Sequence, residues 1–542
     1  MRITTGRRLA AFWEDGNAVW SPDGTRLAYT QGGRVMVVAA RGGVPVEVCE
    51  ASGPVWLDDE RLIVGVTRED TTVLAVVTVS NAWPQPLASV GADYVTAVVS
   101  PDRTRVAYTV FHHDDLNCIS LHVVDVATGV SRTVVHEPGF QLRSPLWSPD
   151  GAQLVFVSEW PGWYEVFVVH ASDGAAARQL TTAGADFSEL AFTADGSSLI
   201  GVRSRHGVAD LVMIDGVTGA VSVLAAGGTW SSPQLLADGS VAAVHESFVS
   251  PAQVRLVTST GEQRNLFNPV SASVRCAPHV VPQHVSYRSL DGMEVHGWLY
   301  RPSGATSAAP CPAVVQPHGG PTSVTGDEWD GVAQYFLDKG YAWFSINFRG
   351  STTYGREYER ANHGVWGVSD THDCLAAFDH LASLGWVDPT RVAIFGASYG
   401  SYMALHSVVD DPDTRFACAV AKYGDCDILT SWAQGDLLGR LDLERMMGQP
   451  GGARSEYTAG SPIHRIEHLE VPILIAHGEL DDRVSPKQSQ ELVEALRREA
   501  KQFEYVTYPT EGHGLLRAEP FLHFYRRLER FLDWYLLPSS WR

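Results

Sequence analysis

The chain has 542 residues, too many for one ordinary domain and enough for two with sizeable cores. Hydrophobic residues make up 45% and charged residues 19%, a globular balance that argues against disorder. A formal net charge of −21 argues against nucleic acid as a partner, and no apolar run reaches the ~18 residues of a membrane span.

The first ten residues are basic but lack the apolar stretch of a signal peptide. Repetition follows. Trp20-Ser-Pro-Asp23-Gly-Thr-Arg-Leu-Ala-Tyr29 recurs as Val99-Ser-Pro-Asp102-Arg-Thr-Arg-Val-Ala-Tyr108 and as Trp147-Ser-Pro-Asp150-Gly-Ala-Gln-Leu-Val-Phe156. Weaker copies place aspartates at Asp59, Asp195 and Asp238, so the spacings run 36, 43, 48, 45 and 43 residues. A period of roughly 40–45 residues is the length of a four-stranded propeller blade. Asp-Gly is a hairpin signal, and the runs beside it alternate or are β-branched. Six blades are expected, with a degenerate seventh using the N-terminal residues left open. His112-His113-Asp114-Asp115 offers metal-ligand types, but adjacent strand residues point to opposite faces, so a solvated loop is the expectation.

Composition shifts at the proline-containing connection Asn268–Pro282, which divides the chain into a propeller over 1–280 and a second domain over 281–542. Val285–Tyr300 reads as a hairpin opening that domain. Strands over Ala313–Gln316 and Tyr341–Asn347 then alternate with helical stretches at Thr371–Leu384, Pro486–Ala500 and Pro520–Leu536. Such alternation implies a mostly parallel sheet covered on both faces.

Within it, the β-type run Val392-Ala-Ile-Phe meets Gly396-Ala-Ser398-Tyr-Gly400, and a helix-forming run follows at once. This is the context of a nucleophile elbow, whose tight turn lifts a serine hydroxyl out of the fold. Serine needs a base and an orienting acid. A second apolar strand, Ile473–His477, leads to Asp481, and His513 sits in a glycine-flanked loop. The order Ser398, Asp481, His513 is that of an α/β-hydrolase triad. Asp482 is the nearest competitor for the acid, and His477 reads as structural.

Five ordered blocks carry a family resemblance: His318-Gly-Gly-Pro321, Asn347-Phe-Arg-Gly350-Ser-Thr-Thr-Tyr-Gly355, Trp366-Gly-Val-Ser-Asp370-Thr-His-Asp373, Gly396–Gly400, and His477 through Val484. The chain resembles the prolyl oligopeptidase family of serine peptidases, most closely its acylaminoacyl-peptidase and dipeptidyl-peptidase-like branches. Two positions depart from the family pattern: Ser401 stands for a usual second glycine, and Val365 for an acidic residue often found before Trp-Gly. The resemblance implies a propeller capping the active site, a triad residue at Asp481, and a Gly320 N–H in the oxyanion hole beside that of Tyr399. His318 is a support or a donor. Arg483 matches an arginine near the substrate carbonyl or chain end, against the alternative of an ion pair with Asp481 or Asp482. The segment Tyr423–Trp432 resembles the side-chain pocket region, with Ile428 and Trp432 as apolar walls or as core.

Glu159, among aromatics in the propeller, is either a ligand for a free α-amine or a blade-edge contact. The seven scattered cysteines contain no Cys-x-x-Cys, which fits reduced thiols in the cytosol. No metal or cofactor is expected, and a homo-oligomer is compatible with the sequence. The expected activity is serine peptidase action on short peptides or aminoacyl amides, more readily as an exopeptidase. The alternatives are an amidase, esterase or acyltransferase of a small-molecule pathway, and a non-catalytic propeller scaffold.

Overall fold

The recurring aspartates are turn builders. In the computed structural model, which describes residues 18–68, 71–90, 96–172 and 176–537, Asp23, Asp102 and Asp150 each accept from the serine two residues earlier at 2.6 Å. The same carboxylates accept backbone N–H groups of Thr25, Thr104 and Ala152 at 2.9–3.1 Å. These bonds close the first hairpin of a blade, as expected of Asx turns. The repeat's arginine then covers the next tryptophan: Arg26 lies over Trp56 at 5.2 Å, and Arg105 over Trp147 at 4.7 Å.

Six antiparallel blades result, each made of four consecutive strands, the first spanning Val19–Glu50 and the last Thr229–Phe267. The six-bladed expectation holds among the described residues; the N-terminal segment invoked for a seventh lies outside them. Trp56 and Trp147 stitch blades together, donating Nε1–H to the carbonyls of Val19 and Val98 in the preceding blade at 3.1 Å.

The last propeller strand ends at Phe267, and the next sheet begins at Gln283. Its eight strands lie in the spatial order Gln283–Arg288, Glu294–Tyr300, Ala342–Asn347, Cys311–Pro317, Val387–Ala397, Cys418–Lys422, Ile473–Gly478 and Phe503–Tyr508. The first two pairings are antiparallel and the rest parallel. Central strands are buried on both faces, which explains their continuous apolar runs. Helices Ser369–Ser383, Tyr399–Val409 and Lys487–Arg498 cover one face, and Gly331–Asp338 and Ala518–Leu536 the other.

The domains meet through the loops joining the second and third strands of blades four to six. Gly162 O accepts from Arg356 N at 2.8 Å, and Thr353 O from His206 N at 2.8 Å. Phe248 N donates to Asp327 Oδ1 at 2.8 Å. The sequence block Gly350–Gly355 is therefore part of the domain contact.

Candidate active site

Strand Val387–Ala397 ends at Ser398, and helix Tyr399–Val409 begins one residue later. Ser398 has φ 55° and ψ −125°, a conformation that persists only when the surroundings enforce it. The glycines show the constraint. A Cβ on Gly396 would stand 1.9 Å from the Gly400 carbonyl oxygen, and one on Gly400 would stand 2.2 Å from that of Pro317. Ser398 N donates to Lys422 O at 2.9 Å, which ties the turn to the neighbouring strand.

Two loops complete the arrangement. His513 Nε2 is 3.0 Å from Ser398 Oγ, and His513 Nδ1 is 2.8 Å from Asp481 Oδ2. The other Asp481 oxygen accepts the N–H groups of Arg483 and Val484 at 3.0 and 2.9 Å. Burial pushes the Asp481 carboxyl up, but hydrogen bonds from His477 and His513 outweigh it and leave it below the usual range. Asp482, the competing acid, is exposed. His477 is buried, with Nδ1 2.6 Å from Ser489 Oγ and Nε2 3.0 Å from Val484 O, so it braces the Asp481 loop. In this geometry His513 can take the serine proton and Asp481 can hold the imidazole oriented.

The His-Gly-Gly-Pro turn lies against the nucleophile. A Cβ on Gly319 would stand 3.4 Å from Ser398 Cβ, and Gly320, Pro321, Ser398 and Tyr399 line one open cleft. His318 is engaged elsewhere: Nδ1 lies 2.7 Å from Gly319 O, Nε2 lies 2.8 Å from Ser351 Oγ, and the ring stacks on Phe348. Burial holds its imidazole down to about 4, hence neutral. Of the two roles read from sequence, its contacts are those of a support.

The other blocks are scaffolding. Arg349 pairs with buried Asp373 at 2.7 Å and with Asp291 at 2.7 Å. Tyr399 OH donates to Asp370, and its ring packs on Phe348 and Trp366. Ser401, the departure from the family, sits where a Cβ on Gly424 would meet its own Cβ at 2.5 Å, so a glycine opposite makes room for it.

The substrate-side expectations fare unevenly. Arg483 lines the cleft, but its guanidinium pairs with Asp436 at 2.7 Å and Asp442 at 3.5 Å rather than with the side chain of Asp481 or Asp482. Ile428 and Trp432 do not line the cleft. Ile428 is core, and Trp432 packs on that core and donates Nε1–H to Glu444 at 2.8 Å. Glu159 is likewise a contact: buried, it accepts from Gln141 N at 3.0 Å and pairs with Arg360 across the domain boundary at 2.6 Å.

The cleft walls that sequence reasoning missed come from Trp366, Asp425 and helix Leu437–Met447, through Gly439, Asp442, Leu443 and Met446. Asp425 Oδ1 is buried without a hydrogen bond, and burial pushes its carboxyl up. It lies inside the segment singled out by resemblance, yet no local pattern distinguishes it from its neighbours.

Comparison with known proteins agrees with this architecture. Residues 328–538 match the prolyl oligopeptidase family, and residues 62–283 match the TolB β-propeller domain. The C-terminal match places residues 328–538 in a domain of the prolyl oligopeptidase family. It is 31% identical over 265 residues to dipeptidyl aminopeptidase BIII of Pseudoxanthomonas mexicana, a match covering 47% of this chain and 38% of that protein. It is 26% identical over 443 residues to the acylamino-acid-releasing enzyme of Sus scrofa, covering 74% and 59%. The matched region is thus well under half of the first relative's length. A solved puromycin hydrolase superposes with a TM-score of 0.86 at 25% identity, covering 96% of this chain and 85% of that one. A Mycobacterium tuberculosis puromycin-hydrolyzing peptidase shares the fold with a TM-score of 0.88 at 22% identity, covering 96% and 86%.

Proposed function

We propose that this chain is a serine exopeptidase of the prolyl oligopeptidase family, cleaving short peptides or aminoacyl amides through an acyl-enzyme. The observation that carries the reading is the continuous relay Ser398 Oγ, His513, Asp481, with both links at hydrogen-bond distance beneath a helix N-terminus. His513 takes the Ser398 proton as the oxygen attacks the carbonyl, then returns it to the leaving amine. The N–H groups of Tyr399 and Gly320 receive the oxyanion; one such donor is typically worth about 10²–10³ in rate. Water repeats the cycle on the ester.

Exopeptidase action is supported by relatives named dipeptidyl aminopeptidase and acylamino-acid-releasing enzyme, and by a propeller docked over the hydrolase domain. The division into domains at 1–280 and 281–542 is supported by the gap between the strands ending at Phe267 and starting at Gln283. A cytosolic setting is supported by the seven cysteines being free. No described helix is long and apolar enough to cross a membrane.

The test is a matched panel of free aminoacyl, N-acetyl-aminoacyl and dipeptidyl anilides, a simple ester and puromycin, run with wild type and Ser398→Ala. Hydrolysis of an anilide that collapses in the variant supports the reading, and the preferred anilide names the branch. Ester hydrolysis alone favours the small-molecule hydrolase. Inertness, with no fluorophosphonate label on Ser398, returns the scaffold reading.

A further inference from the structure

Blade three carries a cluster that the hydrolase chemistry does not use. Strands Arg105–Phe111 and Ile119–Asp125 pair up to Phe111 opposite Ile119, so the next residues out, His112 and Cys118, face each other at the mouth of the loop. Their backbones stay joined, with His112 N donating to Cys118 O at 3.2 Å. Strand Ser131–Val135 runs beside Ile119–Asp125, and His136 follows its last residue. One ring nitrogen of each imidazole and the Cys118 sulfur consequently lie within 4.8 Å of one another. Cys118 Sγ is 4.0 Å from His136 Nδ1, and the two rings stand edge to face at 4.9 Å.

The sequence drew attention to His112-His113-Asp114-Asp115 and set it aside, because neighbouring strand side chains diverge. That argument stands for the run itself. The partners of His112 come instead from residues 118 and 136, brought in by the hairpin and the third strand.

We propose that His112, Cys118 and His136 form a binding site for a divalent ion of the zinc class, with the fourth position open to water or to a ligand. The donor set is two imidazoles and a thiolate, which suits zinc and excludes calcium or magnesium. Zn–S near 2.3 Å and Zn–N near 2.0 Å put tetrahedral donors about 3.5 Å apart, so modest side-chain rotation closes the present spread.

The surroundings fit such a site. His112 Nε2 is 2.7 Å from Ser120 Oγ, leaving Nδ1 for an ion. Ser120 Oγ is 2.7 Å from His122 Nε2, and His122 Nδ1 is 3.3 Å from Thr133 Oγ1. This is a relay of outer partners that fixes the tautomer of the ligand. Burial holds His122 down to about 4, so it remains a neutral member of that relay. Asp115 accepts from Asn117 N at 3.1 Å and Gly139 N at 2.7 Å, which pins the loop to the segment after His136. Asp114, Asp115 and Glu137 surround the sulfur with negative charge. Binding of the ion to Cys118 releases the thiol proton to solvent as the metal–sulfur bond forms. His136 is exposed, which gives the ion a way in.

The site is also connected. Four residues beyond His136, Phe140 lies under the Arg356 guanidinium of the hydrolase domain at 4.5 Å, and Gln141 N holds Glu159. An ion here would stiffen a segment that touches the domain contact.

The decisive experiment titrates chelator-stripped full-length protein with Co²⁺ and follows the thiolate-to-cobalt charge-transfer absorption. We expect a band saturating at one equivalent, bleached by one equivalent of Zn²⁺. It should be absent in Cys118→Ser and retained when exposed Cys276 is changed to Ser. His136→Ala, at an exposed position, should weaken Co²⁺ binding by more than the roughly 10–100-fold that loss of an outer-shell partner costs, with circular dichroism confirming the fold. No charge-transfer band in wild type overturns the proposal. So does a band that survives Cys118→Ser, or binding unchanged in His136→Ala.

Discussion

Glu159 of the propeller and Arg360 of the hydrolase domain meet at 2.6 Å, with the carboxylate almost fully buried and the guanidinium about a quarter exposed. The pair closes the side of the interface nearest Arg143 and Tyr164, which stack at 4.3 Å. Removing Arg360 would strand a buried carboxylate. Fully buried pairs lose about 3–5 kcal/mol when one partner is deleted, and partial exposure here lowers the expectation to about 2 kcal/mol. Arg360→Ala should lower the unfolding free energy by that amount, measured in urea. Adding Glu159→Gln should restore part of it, and strict additivity would show that the contact carries no coupling.

Gly396→Ala places a methyl group on the Gly400 carbonyl, at the point where the chain turns under Ser398. The backbone must shift, taking the Tyr399 N–H with it. Loss of that donor alone predicts a fall of about 10²–10³ in kcat with little change in KM. Steady-state kinetics on the best anilide checks this, alongside circular dichroism to confirm folding.

Asp481 and Asp482 separate cleanly. Asp481→Asn keeps the shape but reverses the hydrogen bond to His513 Nδ1, and the wrong tautomer costs about 10⁴ in kcat in a triad of this type. Exposed Asp482→Asn should stay within twofold or so of wild type, as surface changes do. A large loss in Asp482→Asn would move the acid.

Lys422 is buried with its ammonium over the rings of Tyr423, Phe524 and Tyr525 at 4.9–5.2 Å. Burial lowers its pKa to about 7. The unfolded chain keeps the proton to about 10.4, so between pH 7 and that value it binds more protons than the native state, and stability rises with pH. The burden of the buried charge is fully present below pH 7. Lys422→Met should therefore stabilise the protein at pH 6.5, and the advantage should shrink by up to about 1.4 kcal/mol per unit above pH 7. Parallel melts at pH 6.5 and 9 test it.

How far the sequence was readable follows from how local each feature is. The elbow is dictated by glycines within two residues of Ser398, so pattern and structure coincide. The blade turns are equally local, each Asp bonding a serine two residues away. Helix positions came within a few residues: Thr371–Leu384 became Ser369–Ser383, and Pro520–Leu536 became Ala518–Leu536. The pocket wall was not readable. Ile428 and Trp432 are apolar in a suggestive segment, yet on the helix that Asp427 caps Ile428 is buried in the core and Trp432 packs against it. What lines the cleft is set by how helix Leu437–Met447 lies across it, and its sequence mixes apolar and charged residues without a clear face. The Cys118 cluster shows the same limit, since its three residues meet only through strand register.

That helix has a second side. Gly439, Asp442, Leu443 and Met446 line the cleft, while Leu438, Leu441 and Asp442 line a groove shared with Thr96, Phe111, Ile119, Leu142 and Arg143 of the propeller. One three-turn element is thus the wall of the substrate chamber and the floor of the inter-domain groove. The two cavities therefore share a partition, and a substitution on one side of it is felt on the other.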